Sequence, residues 1–366
     1  MYYHLLLTEE CNSQCKYCYE KSMNEFDNGL EKKWKFDFSA PCKSKIEIAQ
    51  LKKFVNEEDT LIFYGGEPLL NIEKMKEIMD NIKVKSFCMQ TNGKLLNLLS
   101  KKYLKMFSKI LVSLDGSKER TNFNRGEGTY EKVIENLKLI RKKGYDGEIV
   151  TRMTLSFSDV FEQAMEIIKI KEIDSVHWQI DAGFYKHDFN EKEFFKFVIE
   201  YNDSISNLAK YWVEKMKKGK VLKLYPFLGI FESIYHSKKE KLRCGAGYAN
   251  YTITTDGKIV ACPIMNNISD FYCGSLNSKQ FELKKIFVEE PCISCEYLNL
   301  CGGRCLYSNK AKLWPKRGQN LICDTVIHLI KTIEKKIPEI KELIVKGKIK
   351  EEDFFYEKYF GPEIIP

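Results

Sequence analysis

Three cysteines stand at C-x3-C-x2-C spacing in Cys11-Asn12-Ser13-Gln14-Cys15-Lys16-Tyr17-Cys18, directly after an apolar strand pattern, His4-Leu-Leu-Leu-Thr8. Thiolates so spaced on a short loop hold iron–sulfur clusters. A [4Fe–4S] cube has four irons, so three cysteines leave one iron without a protein ligand. An open metal position can bind a small molecule and drive chemistry on it. On the triplet alone, a zinc site or three buried thiols remain alternatives.

The chain has 366 residues, 44% hydrophobic and 30% charged, enough for a full-sized core and two domains. It has no apolar run near the ~20 residues that span a bilayer, and no basic-then-apolar signal segment precedes the first strand. A cytoplasmic protein is expected, without membrane association. Thirteen cysteines in that setting point to metal rather than disulfides. The formal charge of +8 counts cysteines as neutral. Three [4Fe–4S]²⁺ clusters on ten or eleven thiolates would add about −4 to −5. Lysine runs such as Lys215-Met-Lys-Lys-Gly-Lys220 then read as solvated surface, and no nucleic-acid partner is expected.

Past an irregular polar and aromatic stretch over 21–43, the pattern alternates. Apolar spacing predicts a helix over Ser44–Val55, then strand 60–64, helix 72–82, strand 86–90, helix 95–107, strand 110–114, helix 130–143, strand 148–155, helix 160–170 and strand 176–180. Continuous apolar strands alternating with helices imply βαβ units and a parallel sheet. The polar residues that stand out follow strand ends: Gly65-Gly66-Glu67-Pro68, Asn92, Ser113 with Asp115, Arg152 on strand five, and Asp181 after strand six. Active groups of parallel α/β barrels sit at that end. An aromatic-rich helix over 190–218 and a second over 224–235 follow. His177, His187, His236 and His328 show no ligand spacing.

The second cysteine group lies at Cys244, Cys262, Cys292-x2-Cys295-x5-Cys301-x3-Cys305 and Cys323, with Gly257 before Cys262. Tyr251–Ala261 reads as a β-hairpin with an Asp256-Gly257 turn that would bring Cys244 and Cys262 together. A zinc ribbon from Cys292/Cys295 and Cys301/Cys305 is the competing reading. Cys42 and Cys88 fall outside every motif and read as buried thiols.

The C-x3-C-x2-C triplet, with Tyr17 before its third cysteine, resembles the radical S-adenosylmethionine (SAM) enzymes. The downstream cysteines and Gly257 are similar to their SPASM extension. The resemblance covers the chain to about residue 330. It implies an α/β fold: a partial (β/α)6 TIM-like barrel over 1–189, a helical bridge over 190–240, a SPASM domain over 241–330 and a C-terminal helix and tail over 331–366. It implies three [4Fe–4S] clusters. Cys11, Cys15 and Cys18 would hold the SAM-binding cluster. Cys244, Cys262 and Cys305 would hold an auxiliary cluster near the active site, either open at one iron or completed by Cys273. Cys292, Cys295, Cys301 and Cys323 would hold the distal one. SAM contacts would come from Tyr17, Gly65, Gly66, Glu67, Asn92, Ser113, Asp115 and Arg152, the two glycines bringing backbone close to the ligand. Asp181 and Tyr185 would face substrate.

Members with this layout mostly modify ribosomally made peptides, so the resemblance implies an oxidoreductase-type peptide maturase. Reductive SAM cleavage would give a 5′-deoxyadenosyl radical, which takes hydrogen from the substrate. A thioether or carbon–carbon crosslink, or an oxidation assisted by the auxiliary clusters, would follow. A precursor peptide and a low-potential donor of flavodoxin or ferredoxin type are the implied partners. No N-terminal domain remains for a leader peptide, so the 21–43 stretch, the 190–240 helices or a separate protein would bind one. Sulfatase maturation or small-molecule oxidation is a second reading. Pro263, where sulfatase-maturing enzymes have an aspartate after the cysteine, counts against the first of these. A third reading is an iron–sulfur electron-transfer or binding protein.

Overall fold

The computed structural model describes residues 1–18, 29–181, 189–312 and 314–360. Tyr185, His187 and residues 21–28 of the 21–43 stretch lie outside them. In chain order the elements are β1 Tyr2–Thr8, α1 Ile48–Phe54, β2 Thr60–Gly65, α2 Ile72–Asn81, β3 Ser86–Thr91, α3 Lys101–Leu104, β4 Phe107–Ser113, α4 Lys118–Arg125, α5 Thr129–Lys142, β5 Glu148–Leu155, α6 Val160–Ile168 and β6 Ser175–Ile180. There follow α7 Glu191–Lys217, β7 Lys223–Leu224, α8 Tyr225–Tyr235, β8 Asn250–Ile253, β9 Lys258–Val260, β10 Tyr272–Ser275, α9 Leu298–Cys301, α10 Leu306–Ala311, α11 Lys316–Glu334 and α12 Ile337–Val345. The architecture is α/β, with the alternating strands and helices of a partial (β/α)6 barrel and a C-terminal extension.

The chain divides into two compact units, Met1–Thr151 with Gly245–Phe287, and Arg152–Cys244 with Val288–Pro366. In the first, β1 is the central strand. It pairs in parallel with β2 on one side (Leu5↔Phe63) and with β8 on the other (Leu5↔Ile253). The order runs β10-β9-β8-β1-β2-β3-β4. Strands buried on both faces account for the unbroken apolar runs: Leu5, Leu7, Leu61, Phe63 and Met89 are fully buried. Residues 245–287 join this sheet because β8 finds its hydrogen-bonding partner in β1. The Asp256-Gly257 turn closes the β8–β9 hairpin, with Gly257 at φ 85, a region that favours glycine.

Four local expectations are corrected. The first helix begins at Ile48 rather than Ser44, because Ser44 N donates to Leu7 O and Lys45 N to Thr255 O, holding that stretch beside the sheet. The helix expected over 95–107 is a short turn at Leu96–Leu98 followed by α3. There Lys143 Nζ takes the carbonyls of Asn97 and Leu99, and Asn136 Nδ2 takes that of Lys94. Helix α4 was not anticipated, since its polar sequence has no apolar period; Ser117 Oγ caps it by accepting from Arg120 N. Cys42 is exposed rather than buried, while Cys88 is buried as expected.

In the second unit β6 and β7 are parallel. The long α7 buries Val198, Tyr201, Ile205, Leu208, Trp212 and Met216 along one stripe and packs against α11 and α6. Trp178 Nε1 donates to Tyr201 Oη at 3.1 Å, satisfying two buried polar atoms. The α7–α11 packing places 191–217 and 316–334 in one compact unit, cutting across the boundaries expected at 189, 240 and 330. Among the described residues no helix is long and apolar enough to cross a membrane.

Gly65 (φ 138) has no room for a side chain: a Cβ there would lie 2.1 Å from Thr8 O. Gly65→Ala is expected to destabilise the protein by about 3 kcal/mol or more, read as a lowered urea midpoint. An unchanged midpoint would contradict this packing.

Candidate active site and cysteine cavity

The cysteine loop leaves β1 at Thr8 and is seated on the end of β2 by backbone alone. Gly66 N donates to Thr8 O at 2.9 Å, and Glu67 N to Glu10 O at 2.8 Å. A Cβ on Gly66 would lie 2.4 Å from Glu10 O. The two glycines therefore admit the loop's own backbone. Across the loop's start, Glu9 N donates to Cys42 O at 2.8 Å.

Glu67 is fully buried. Its carboxylate accepts from Leu69 N at 3.1 Å, Thr91 Oγ1 at 2.8 Å and Asn92 N at 2.8 Å. Burial raises its pKa to about 7, and the three donors offset only part of that rise. Asn92, its backbone fixed by Glu67, extends Nδ2 to Asn12 Oδ1 at 2.6 Å and to Ser13 Oγ at 3.4 Å, with Cys11 Sγ at 4.0 Å. Asn92 is thus a clamp on the cysteine loop. Thr91, absent from the sequence reading, completes it; its position as the last residue of an apolar strand was the available clue.

A second clamp comes from β4 and α4. Asp115 is fully buried and takes a two-pronged ion pair from Arg125, Nε at 2.9 Å and Nη2 at 2.8 Å. It also accepts from Asn124 Nδ2 at 3.2 Å and from the Tyr17 hydroxyl. The Arg125 guanidinium lies 5.2 Å from the Tyr17 ring centre, a cation–π arrangement. Burial pushes the Tyr17 phenol well above its usual range; Arg125 offsets part of this and Asp115 adds to it. Lys16 N donates to Asn124 O at 2.9 Å, and Lys16 Nζ stands over the Phe123 ring. Cys18 N donates to Cys15 O, closing the loop in a turn. Sequence reasoning named Tyr17 and Asp115 but missed Asn124 and Arg125, which sit on the helix it did not anticipate.

The remaining expected residues are placed as follows. Ser113 ends β4, half-buried. In the second unit, Arg152 Nη2 donates to Gln179 Oε1 at 2.8 Å, and Asp181 N to Leu155 O at 2.9 Å, with Asp181 half-buried. Tyr185 lies outside the described residues. Cys262 follows β9; Gly247 N, three residues past Cys244, donates to Ala261 O beside it. Cys273 is buried in β10. Its thiol donates to Phe271 O at 3.4 Å, and burial pushes its pKa up to about 12, so the neutral thiol is favoured.

In the second unit Cys292, Cys295, Cys301, Cys305 and Cys323 line one cavity of about 140 Å³. The cis Glu290–Pro291 segment, α9, α10 and α11 form its walls. Asn309, Gly303 and Arg304 line the cavity beside these thiols. Arg243, buried and held by the carbonyls of Leu300 and Gly229, adds positive charge beside Cys301. Among the described residues, no three His, Cys, Asp or Glu side chains converge tightly enough to grip a single ion. Thiols that surround a cavity suit a polynuclear iron–sulfur core, while an all-sulfur donor set by itself suits zinc as well as iron–sulfur.

Residues 5–170 match the model of the radical SAM superfamily. The radical SAM cyclopropyl synthase TigE of Paramaledivibacter caminithermalis is 23% identical over 335 residues, which cover 82% of this chain and 67% of that protein. The antilisterial bacteriocin subtilosin biosynthesis protein AlbA of Bacillus subtilis is 25% identical over 344 residues, 83% of this chain and 67% of its own. Among solved structures, native anSMEcpe with bound AdoMet superposes with a TM-score of 0.69 at 19% identity, covering 93% of this chain and all of that one. Streptococcus suis SuiB bound to its precursor peptide SuiA gives 0.53 at 13% identity, covering 85% and 72%. These two structures share the fold.

Two outcomes are expected of the clamps. Arg125→Leu leaves Asp115 buried without its cation and should cost about 3–5 kcal/mol in chemical denaturation; a loss under about 1 kcal/mol would contradict the pair's role. Glu67 is held neutral in the fold at low pH. Its contribution is therefore full below about pH 4.5 and is lost as pH rises toward 7. Wild type should lose on the order of 3 kcal/mol relative to Glu67→Gln across that window, read from urea midpoints at its two ends. Parallel profiles would show that Glu67 titrates normally.

Proposed function

This chain is a radical SAM enzyme by its residues 5–170, and on that premise we propose that it modifies a ribosomally made peptide with the help of auxiliary iron–sulfur clusters. Cys11, Cys15 and Cys18 hold the SAM-binding [4Fe–4S] cluster, which, when bound and reduced, supplies a 5′-deoxyadenosyl radical from SAM. The chain's own residues fix that loop. Gly65 and Gly66 seat its backbone, Asn92 holds Asn12 and Ser13, and Asp115 with Arg125 holds Tyr17. Tyr17, Gly65, Gly66, Glu67, Asn92, Ser113, Asp115 and Arg152 are the proposed SAM contacts, and Asp181 and Tyr185 the proposed substrate contacts.

The observation that carries the reading is the cavity lined by five cysteines. The SAM cluster needs three thiolates, so a second thiol-lined site supports an auxiliary cluster. Cys292, Cys295, Cys301 and Cys323 are its proposed ligands. Cys244, Cys262 and Cys305 are proposed for a further cluster. That cluster is either open at one iron or completed by Cys273. The substrate class rests on relatives: AlbA is a bacteriocin biosynthesis protein, and SuiB is seen with a precursor peptide. A low-potential flavodoxin or ferredoxin is the proposed electron donor.

The test is anaerobic co-expression with short peptides encoded beside the gene, with 5′-deoxyadenosine quantified and peptide mass measured. Reductant-dependent 5′-deoxyadenosine that Cys15→Ala abolishes is expected, together with loss of the mass of two hydrogens from one peptide for a crosslink. Formation of 5′-deoxyadenosine with every peptide mass unchanged would overturn the peptide reading. A product equally abundant with Cys15→Ala would overturn the SAM chemistry.

A further inference from the structure

Trp314 lines the cysteine cavity, and its indole Nε1 is buried without a hydrogen-bond partner. The ring is fixed on the protein side by Phe189 and Phe194, with centroids at 5.2 and 5.0 Å, and Gln319 Nε2 holds its carbonyl. A buried N–H left unpaired on a residue that lines a cavity walled by sulfur is accounted for if an acceptor occupies that cavity. Arg304, also in the lining, has φ 58, a left-handed conformation uncommon for a side-chain-bearing residue. It completes a run of three such residues with Gly302 and Gly303, at φ 74 and 89. Neither glycine can be replaced cheaply: a Cβ on Gly302 would sit 1.9 Å from Lys241 O, and one on Gly303 2.7 Å from a Val288 methyl. The run follows Cys301 directly, and Gly303 and Arg304 line the cavity together with Cys292 and Cys323. Successive N–H groups in such a run form an anion-binding concavity.

We propose that Trp314 and Arg304 are positioning residues for the group in this cavity, Trp314 by donating its indole N–H to a sulfur of that group and Arg304 by its charge, and that together they raise its reduction potential. Each favours the reduced, more negative form. A centre so poised accepts an electron more readily than the same thiolates would in an apolar wall. The inference rests on the reading of this cavity as the site of an auxiliary iron–sulfur cluster.

The experiment is an anaerobic redox titration of the reconstituted full chain followed by electron paramagnetic resonance. The signal lost in Cys323→Ser is assigned to the cavity. Trp314→Phe keeps the ring and removes the N–H; Arg304→Gln removes the charge, and Arg304→Lys keeps it. Each of Trp314→Phe and Arg304→Gln should retain its iron and move the cavity signal to lower potential. Together they should lower the reduced-to-oxidised ratio at fixed potential about tenfold, 59 mV for one electron. Arg304→Lys should stay near wild type. Unshifted signals in both variants overturn the positioning role while leaving the cluster standing. If one variant fails to fold, the other decides. If no signal responds to Cys323→Ser and iron is unchanged in that variant, the cluster reading fails and the inference falls with it.

Discussion

The active end of the first unit depends on a close backbone approach. The amides of Gly66 and Glu67 reach the carbonyls of Thr8 and Glu10 because neither Gly65 nor Gly66 carries a Cβ. The approach fixes where the chain leaves β1, and so where the three cysteines hang. It also delivers Glu67 into the sheet's interior, where its carboxylate meets Thr91 and Asn92. The glycines that the resemblance assigns to SAM also seat the loop that would hold the cluster.

Two buried carboxylates brace the loop by different physics. Asp115 has a guanidinium in a two-pronged pair, so its charge is matched in place and can hold Tyr17 and Asn124 together. Glu67 has only neutral donors. Burial wins over three hydrogen bonds, and its pKa rises to about 7. The Glu67 brace therefore changes its protonation between about pH 4.5 and 7. In the second unit the cysteine cavity is built differently: Gly303, Arg304 and Asn309 line it beside the five thiols, and buried Arg243 is tied to the carbonyl of Leu300, next to Cys301. That arrangement suits a group whose net charge is negative.

Much of this was legible in the sequence because it rests on spacing and period. The triplet, the second cysteine group, the six parallel strands and the β8–β9 hairpin all announce themselves by residue type at fixed offsets. What was not legible lacks such a pattern. Helix α4 carries charge and amide where a helix usually shows an apolar stripe, so Arg125 went unseen although it is the partner of Asp115. Residues 95–107 have helical spacing, but the side chain of Lys143, just past α5, takes the carbonyls of Asn97 and Leu99, and Asn136 takes that of Lys94 before them. Trp314 reads as one more aromatic until its N–H is found without a partner beside five cysteines. The division of the chain follows long-range pairings, β8 with β1 and α7 with α11, which local periodicity does not encode.

The measurement that tests the account most directly is an anomalous-scattering map at the iron edge from crystals of the anaerobically reconstituted protein. The account predicts iron at the Cys11–Cys15–Cys18 loop and separate iron within the cavity bounded by Cys292, Cys295, Cys301 and Cys323. A single zinc at those four cysteines, or iron at the triplet with none in the cavity, would contradict it.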